Sequence, residues 1–281
     1  MTLLMSADEI ARIRKIEAAI DVLFQKRCYI TKHMLQMGFP RFVENDPICD
    51  TACVTLDHSG NFGFLWDTEF FDDLDIKTTA FVFCHETMHI VLGHLERIGD
   101  RDRRIANIAA DIVVNYLLEY NYSFTIPSGM IDHRDFQIIG IDPKTMSFEQ
   151  IYDRLLRGAY RFDMQSLEES SSRSGSHDNW EDIVESSNGT IKDQVKRIIK
   201  EVSEMHGHSA FPSASHSSTN SAGNGVVSEL RNLVEDCLDV NVKWDDYVSN
   251  FLDLPAKRIF GVVCYVRRFA VHFIGVQNCL S

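Results

Sequence analysis

Apolar residues recur at helical spacing through SADEIARIRKIEAAIDVLFQKRCYITKHMLQM, residues 6–37, and Ser6 followed by Glu9 supplies the capping-box pair that starts such a helix. The stretch predicts one amphipathic helix or two in succession. After Gly38 and Pro40 the period changes. ACVTLDHSGNFGFLWD alternates apolar and polar residues on either side of His58-Ser59-Gly60-Asn61, which predicts a β-hairpin. From Ile76 to about Leu95 the chain is continuously apolar at helical spacing, with Gly93 and Gly99 as stop signals. A charged turn, RIGDRDRR, separates it from a second mostly apolar helix, IANIAADIVVNYLLEY at 105–120. The loop NYSFTIPSGM follows, and then SFEQIYDRLL at 147–156, a short amphipathic helix with Ser147 and Gln150 in capping-box positions. This order predicts an α+β fold, mainly helical, with a small β-hairpin or sheet packed on the helix at 76–95.

Past residue 163 the composition shifts. MQSLEESSSRSGSHDNWED and GHSAFPSASHSSTNSAGNG are rich in Ser and Gly and poor in apolar residues, so they read as linkers, with His206, His208 and His216 solvated. Between them IKDQVKRIIKEVSEM predicts a helix, and VSELRNLVEDCLDVNVKWDDYVSNFLDL one or two more. The expected organisation is a domain over 1–160, a Ser/Gly-rich region with one helix over 161–226, and a helical C-terminal segment over 227–281.

With 281 residues, 44% of them hydrophobic, the chain can bury a sizeable core, and it reads as a folded, soluble protein. A formal charge of −13 argues against a nucleic-acid or anionic-membrane binder, because either needs a basic face opposite phosphate. The seven cysteines are an odd number without framework spacing, and MTLLMSADEI lacks the regions of a signal peptide, so the expected compartment is the reducing cytoplasm. The most span-like segment, RIFGVVCYVRRFAVHFIGV, carries Arg267 and Arg268 at its middle, where each charge costs roughly 3 kcal/mol in a bilayer. It reads as buried strand or helix.

One segment departs from ordinary core composition. FVFCHETMHIVLGH, residues 81–94, carries three histidines and a glutamate in an otherwise apolar run. His85, Glu86 and His89 form His-Glu-x-x-His. Residues four apart on a helix are offset by about 40° and rise about 6 Å, so the two imidazoles leave one face and can close on one ion. That is what a tetrahedral Zn²⁺ asks of two ligands, and Glu86, beside the first, can reach the water without ligating it, as a general base. The apolar flanks bury the helix on most sides, and buried imidazoles and a carboxylate are costly without a partner.

A third ligand is required. The metzincin pattern is excluded, since Leu92 and Leu95 stand where its glycine and histidine would be. His94 faces away from His89 on a continuous helix, unless Gly93 breaks it. Asn107, Asp111 and Asn115 make a polar stripe on the second helix, composed of poor helix formers where a solvated face would carry Lys, Glu or Arg. Asp111, lying on a following helix as the carboxylate of gluzincin-type sites does, is the candidate; Asn107 and Asn115 then support the ligands or bridge the helices. His133, Tyr116, Tyr122 and Tyr152 are possible donors to a tetrahedral intermediate, and nothing in the sequence chooses among them. Cys49 and Cys53 have no second pair with which to form a zinc knuckle, and Cys84 reads as a small buried residue.

CHETMHIVLGHLERIGDRDRRIANIAADIVVNYLL closely resembles the core of the bacterial and phage metallopeptidase domain often found before a von Willebrand factor A-like domain. TACVTLDHSGNFGFLWDTEFF is similar to that family's hairpin, IPSGMIDHRDFQIIGIDPKTMSFEQIYDRLL to its loop and next helix, and VNVKWDDYVSNFL to its Trp-bearing segment. The resemblance covers residues 6–160 well and 225–252 weakly. It implies a zincin-like fold and a zinc peptidase acting on a protein or peptide, with His85, His89 and Asp111 as ligands and Glu86 as catalyst. It also implies an ATPase of the MoxR type as a partner. The Asp-x-Ser-x-Ser site of a von Willebrand A-like domain is not found, and residues 256–280 do not resemble the family's continuation, so that second domain is expected to be absent. The rival expectation is a non-catalytic interaction module that zinc holds together. A nuclease or deaminase is disfavoured by the acidic charge and the lack of Pro-Cys-x-x-Cys.

Overall fold

The computed structural model of the chain describes residues 6–38, 40–46, 49–56, 62–158, 190–207, 211 and 225–238. Outside them lie the predicted turn at 57–61, most of both Ser/Gly-rich tracts with His208 and His216, the Trp-bearing segment, and the apolar run at 258–276.

The first amphipathic stretch forms two helices, α1 (Ala7–Gln25) and α2 (Tyr29–Met37). The capping box closes at the start of α1: Glu9 N–H donates to Ser6 Oγ at 3.1 Å, and Ser6 N–H donates to Glu9 Oε2 at 2.7 Å. Arg27, with φ +60, turns the chain between the two helices. The hairpin pairs β2 (Ala52–Leu56) antiparallel with β3 (Phe62–Asp67), Cys53 opposite Leu65 and Val54 opposite Phe64. A short strand, β1 (Arg41–Val43), adds to the other side of β3 in parallel, with Phe42 opposite Trp66, so the sheet order is β1-β3-β2.

Strand β3 is central, paired on both sides, and buried on both faces: Leu65 packs with Cys49 and Cys53 on one, and Phe62, Phe64 and Trp66 point to the other. That face meets the motif helix α4 (Ile76–Val91), where the Phe83 ring lies 5.0 Å from Phe64 and 4.8 Å from Trp66, both edge-on. Burial of side chains this large contributes about 2–3 kcal/mol each and fixes the sheet against the helix. Between sheet and helix runs α3 (Thr68–Asp73), six residues capped by Asp67.

Helix α4 begins at Asp75, whose carboxylate accepts from Thr78 N–H at 2.7 Å, and every residue from Thr79 to Val91 is buried. A helix buried on all sides must have neighbours on all sides, and α1, α2, α6 (Arg103–Tyr122) and the sheet supply them. Where sequence spacing predicted one helix to about Leu95, the structure has two: α4 stops at Val91, Gly93 takes a left-handed conformation at φ +65, and α5 (His94–Ile98) starts in a new direction. A left-handed residue cannot continue a right-handed helix, and glycine accepts that conformation without a steric cost.

Helix α6 is capped by Asp102, which accepts from Ile105 N–H at 3.1 Å. A 3₁₀ turn (His133–Ile139) leads to α7 (Phe148–Gly158), started by Ser147 and Gln150 as predicted. The later helices, α8 (Thr190–His206) and α9 (Val226–Leu238), share the same core, to which Ile198, Ile199, Val202, Val226 and Leu230 all contribute. The expectation that His206 is solvated is corrected: it closes α8 and stacks on Tyr29, ring centroids 4.1 Å apart. Among the described residues no helix is long and apolar enough to cross a membrane.

Candidate metal centre

His85 and His89 stand one turn apart on α4, and their Nε2 atoms approach to 2.9 Å. Asp111, in the middle of α6, brings Oδ1 to 3.4 Å from His85 Nε2 and 3.3 Å from His89 Nε2. All three residues are buried. Among the described residues they form the group of His, Cys, Asp or Glu side chains that can hold a metal ion. With metal–ligand distances of ~2.0–2.1 Å, two ligands of a tetrahedral ion lie ~3.3–3.4 Å apart. Two edges of the observed triangle match that spacing, and the third is a few tenths of an ångström short.

Hydrogen bonding around the triangle orients its atoms. Asn115, one turn beyond Asp111, donates from Nδ2 to the Ile131 carbonyl at 2.8 Å, which turns its Oδ1 to His85 Nδ1 at 2.9 Å. A carbonyl oxygen only accepts, so His85 carries its proton on Nδ1 and presents a lone pair at Nε2. His94 fixes the His89 ring in turn: the two Nδ1 atoms are 3.1 Å apart. Two imidazole nitrogens and a carboxylate oxygen then converge on one buried point, an electron-rich set that a cation satisfies at once.

His94 thus sits behind a ligand. The condition under which it faces His89, a helix broken at Gly93, is met. It is not one of the converging three, since its ring meets His89 on the side away from Nε2. The polar stripe also divides: Asp111 and Asn115 are buried in the site, while Asn107 is half-buried.

Glu86 is on the same helix and equally buried, and its Oε1 has no hydrogen-bond partner. Loss of solvation pushes its carboxyl up to about 8; His85 opposes that shift, while Asp111 and Cys49 add to it. Without a cation beside it, such a group favours its protonated form.

The other candidates lie elsewhere. His133 packs edge-on against Tyr116 at 5.1 Å and faces Asp132 and Glu119 at 3.6 and 3.8 Å. Tyr116 is pushed up to about 12, by burial first and then by Tyr120, Asp142 and Glu119. The Tyr152 hydroxyl accepts from Asp102 N–H at 3.0 Å, and Tyr122 is in the core. Cys84 is a buried residue whose sulfur accepts from Thr31 Oγ1 at 3.4 Å. Cys49 and Cys53 share a small buried cluster with Leu65, and Cys49 Sγ donates to the Leu65 carbonyl at 3.5 Å.

A buried His₂Asp triangle with a carboxyl beside it, on two packed helices backed by a small sheet, is the architecture of a metal-binding protein. The chain belongs to the family described as "Putative metallopeptidase domain", whose model matches residues 11–260. No curated protein and no solved structure matches it. The family implies a metal and a hydrolase, and the His85–His89–Asp111 group is where a metal fits.

Proposed function

We propose that the protein is a zinc-dependent peptidase, with His85, His89 and Asp111 as the ligands and Glu86 as general base and acid. The observation that carries this reading is the convergence of the three ligand atoms within 3.4 Å of one another beside a buried carboxyl. Two imidazoles and a carboxylate with tetrahedral spacing suit zinc. When bound, the ion supplies a Lewis acid that polarises water and the scissile carbonyl.

The chain's own residues do the rest. Asn115 and His94 hold the imidazole rings so that both Nε2 atoms face inward. Glu86 Oε1, bound to no donor, is available to take a proton from the attacking water and to return it to the leaving amine nitrogen. The raised proton affinity that burial gives suits the return of the proton, and a bound cation would favour the carboxylate that takes it.

Zinc analysis and peptide hydrolysis on the parent and on Glu86→Gln test the reading together. The parent is expected to hold one zinc per chain, with iron absent, and to cleave unfolded protein substrates. Glu86→Gln keeps the zinc and loses at least 100-fold in rate, within the range general acid–base catalysis contributes, about 10²–10⁴. Equal activity of parent and variant refutes the assignment of Glu86.

One observation favours the second reading, a zinc-stabilised interaction module. None of His85, Glu86, His89 and Asp111 exposes more than 2% of its surface, and a structural site needs no access for a substrate. On that reading the parent binds zinc, loses stability on chelation and hydrolyses nothing.

A further inference from the structure

We propose that Arg97 is a positioning residue that holds His94 against His89, so that helices α7 and α9 set how tightly the metal group holds its ion. The inference rests on the metal-site reading above.

Helix α5 is five residues long and starts from a left-handed glycine. A helix that short has little stability of its own, so its place must be set from outside. Arg97 supplies the attachment. Its Nη1 donates to the Leu92 carbonyl at 3.3 Å, tying α5 back to the end of α4. Its Nε and Nη2 donate to the two oxygens of Glu149 on α7 at 2.9 and 2.8 Å, a bidentate pair. Nη1 also donates to Glu229 Oε2 on α9 at 3.1 Å. One guanidinium therefore joins four helices.

The same guanidinium lies over the Phe148 ring, 5.1 Å from its centroid. Phe148 is fully buried, and its ring is 5.1 Å from that of His94. So Arg97 fixes His94 twice, through the α5 backbone and through the ring His94 packs on. His94 in turn places the proton-sharing contact at His89 Nδ1, on the far side of that ligand from the ion site. Helix α9 is fastened at its start as well, where Val226 N–H donates to the Pro143 carbonyl at 3.2 Å just ahead of α7. Arg97 is a quarter exposed, and ion pairs of such exposure add little to stability. Groups that orient a metal ligand commonly change affinity about 10–100-fold when removed. The network's larger effect is on the ion.

The zinc dissociation constant of the full chain, measured by competition with a chromophoric chelator, tests this, with thermal midpoints to confirm folding. Arg97→Lys keeps the charge and loses the fork, and is expected to weaken zinc binding about 10-fold. Glu149→Gln, which leaves Arg97 in place, shifts affinity in the same direction. In a His94→Phe background, which keeps an aromatic ring on Phe148 but removes the contact to His89, Arg97→Lys causes no further loss. Parent-like affinity in both single variants overturns the inference, and so does an equal fold-loss with and without His94. A parent that takes up no zinc overturns the metal-site reading itself and the inference with it.

Discussion

Replacing Glu86 by glutamine should stabilise the metal-free protein while abolishing hydrolysis, and the gain should depend on pH in a defined direction. The folded chain buries this carboxyl to 2% exposure and leaves Oε1 without a hydrogen-bond partner. Its proton affinity is raised from the ordinary 4.5 to about 8, chiefly by lost solvation. Between those values the folded state keeps a proton that the unfolded chain has released. The unfolded state then binds fewer protons, so stability falls as pH rises across the window, and the loss is complete above the folded value. A gap of roughly 3.5 pH units at about 1.4 kcal/mol per unit sets an upper bound near 5 kcal/mol. Glutamine carries no charge at any pH and escapes this loss.

The assay is urea denaturation of parent and variant in excess chelator, from about pH 4.5 to about pH 9, with the two curves subtracted so that other titrating groups cancel. Below about pH 5 the difference should be small; near pH 8.5 the variant should be more stable by about 3–5 kcal/mol. With zinc bound the difference should shrink, because a nearby cation favours the carboxylate. A difference that stays within about 0.5 kcal/mol over the whole range refutes the argument, since a carboxyl that costs nothing to ionise is not desolvated.

Two further substitutions probe how the ligands are held. Asn115→Leu strands both His85 Nδ1 and the Ile131 carbonyl; it should cost about 2 kcal/mol in denaturant melts and weaken zinc binding about 10–100-fold by chelator competition. Gly93→Ala adds a methyl with no atom within 4 Å, so its cost is the left-handed backbone alone, about 1–2 kcal/mol, read as a lowered thermal midpoint. An unchanged midpoint would mean that the break at Gly93 imposes no constraint.

Some of the site is a matter of spacing along the chain. His85 and His89 needed only the helical repeat to share a face, with Glu86 beside the first, and the repeat is local. Asp111 could be named because three short polar residues at intervals of four, in a helix otherwise apolar, are explained by burial rather than by solvent. Strand β1 escaped, since three residues give no periodicity to read and its partner in β3 lies 24 positions away, Arg41 against Leu65. The direction of His94 depended on whether Gly93 would stop the helix or merely interrupt its composition, and both are compatible with the same letters.

What the amino-acid order determined by itself was what repeats locally: the longer helices, the capping boxes at Ser6 and Ser147, and the two imidazoles on one side of α4. Local repeats fix which face of an element is apolar, and so which side chains turn inward. Only the tertiary structure decided which inward-facing groups meet. It set Asp111 of α6 within 3.4 Å of both imidazoles, aimed Asn115 at His85 rather than at its own helix, and brought Glu149 and Glu229 onto Arg97 across 52 and 132 residues of chain. Those contacts depend on how helices cross and how far loops reach, and the energies that choose among crossings are sums over the whole core.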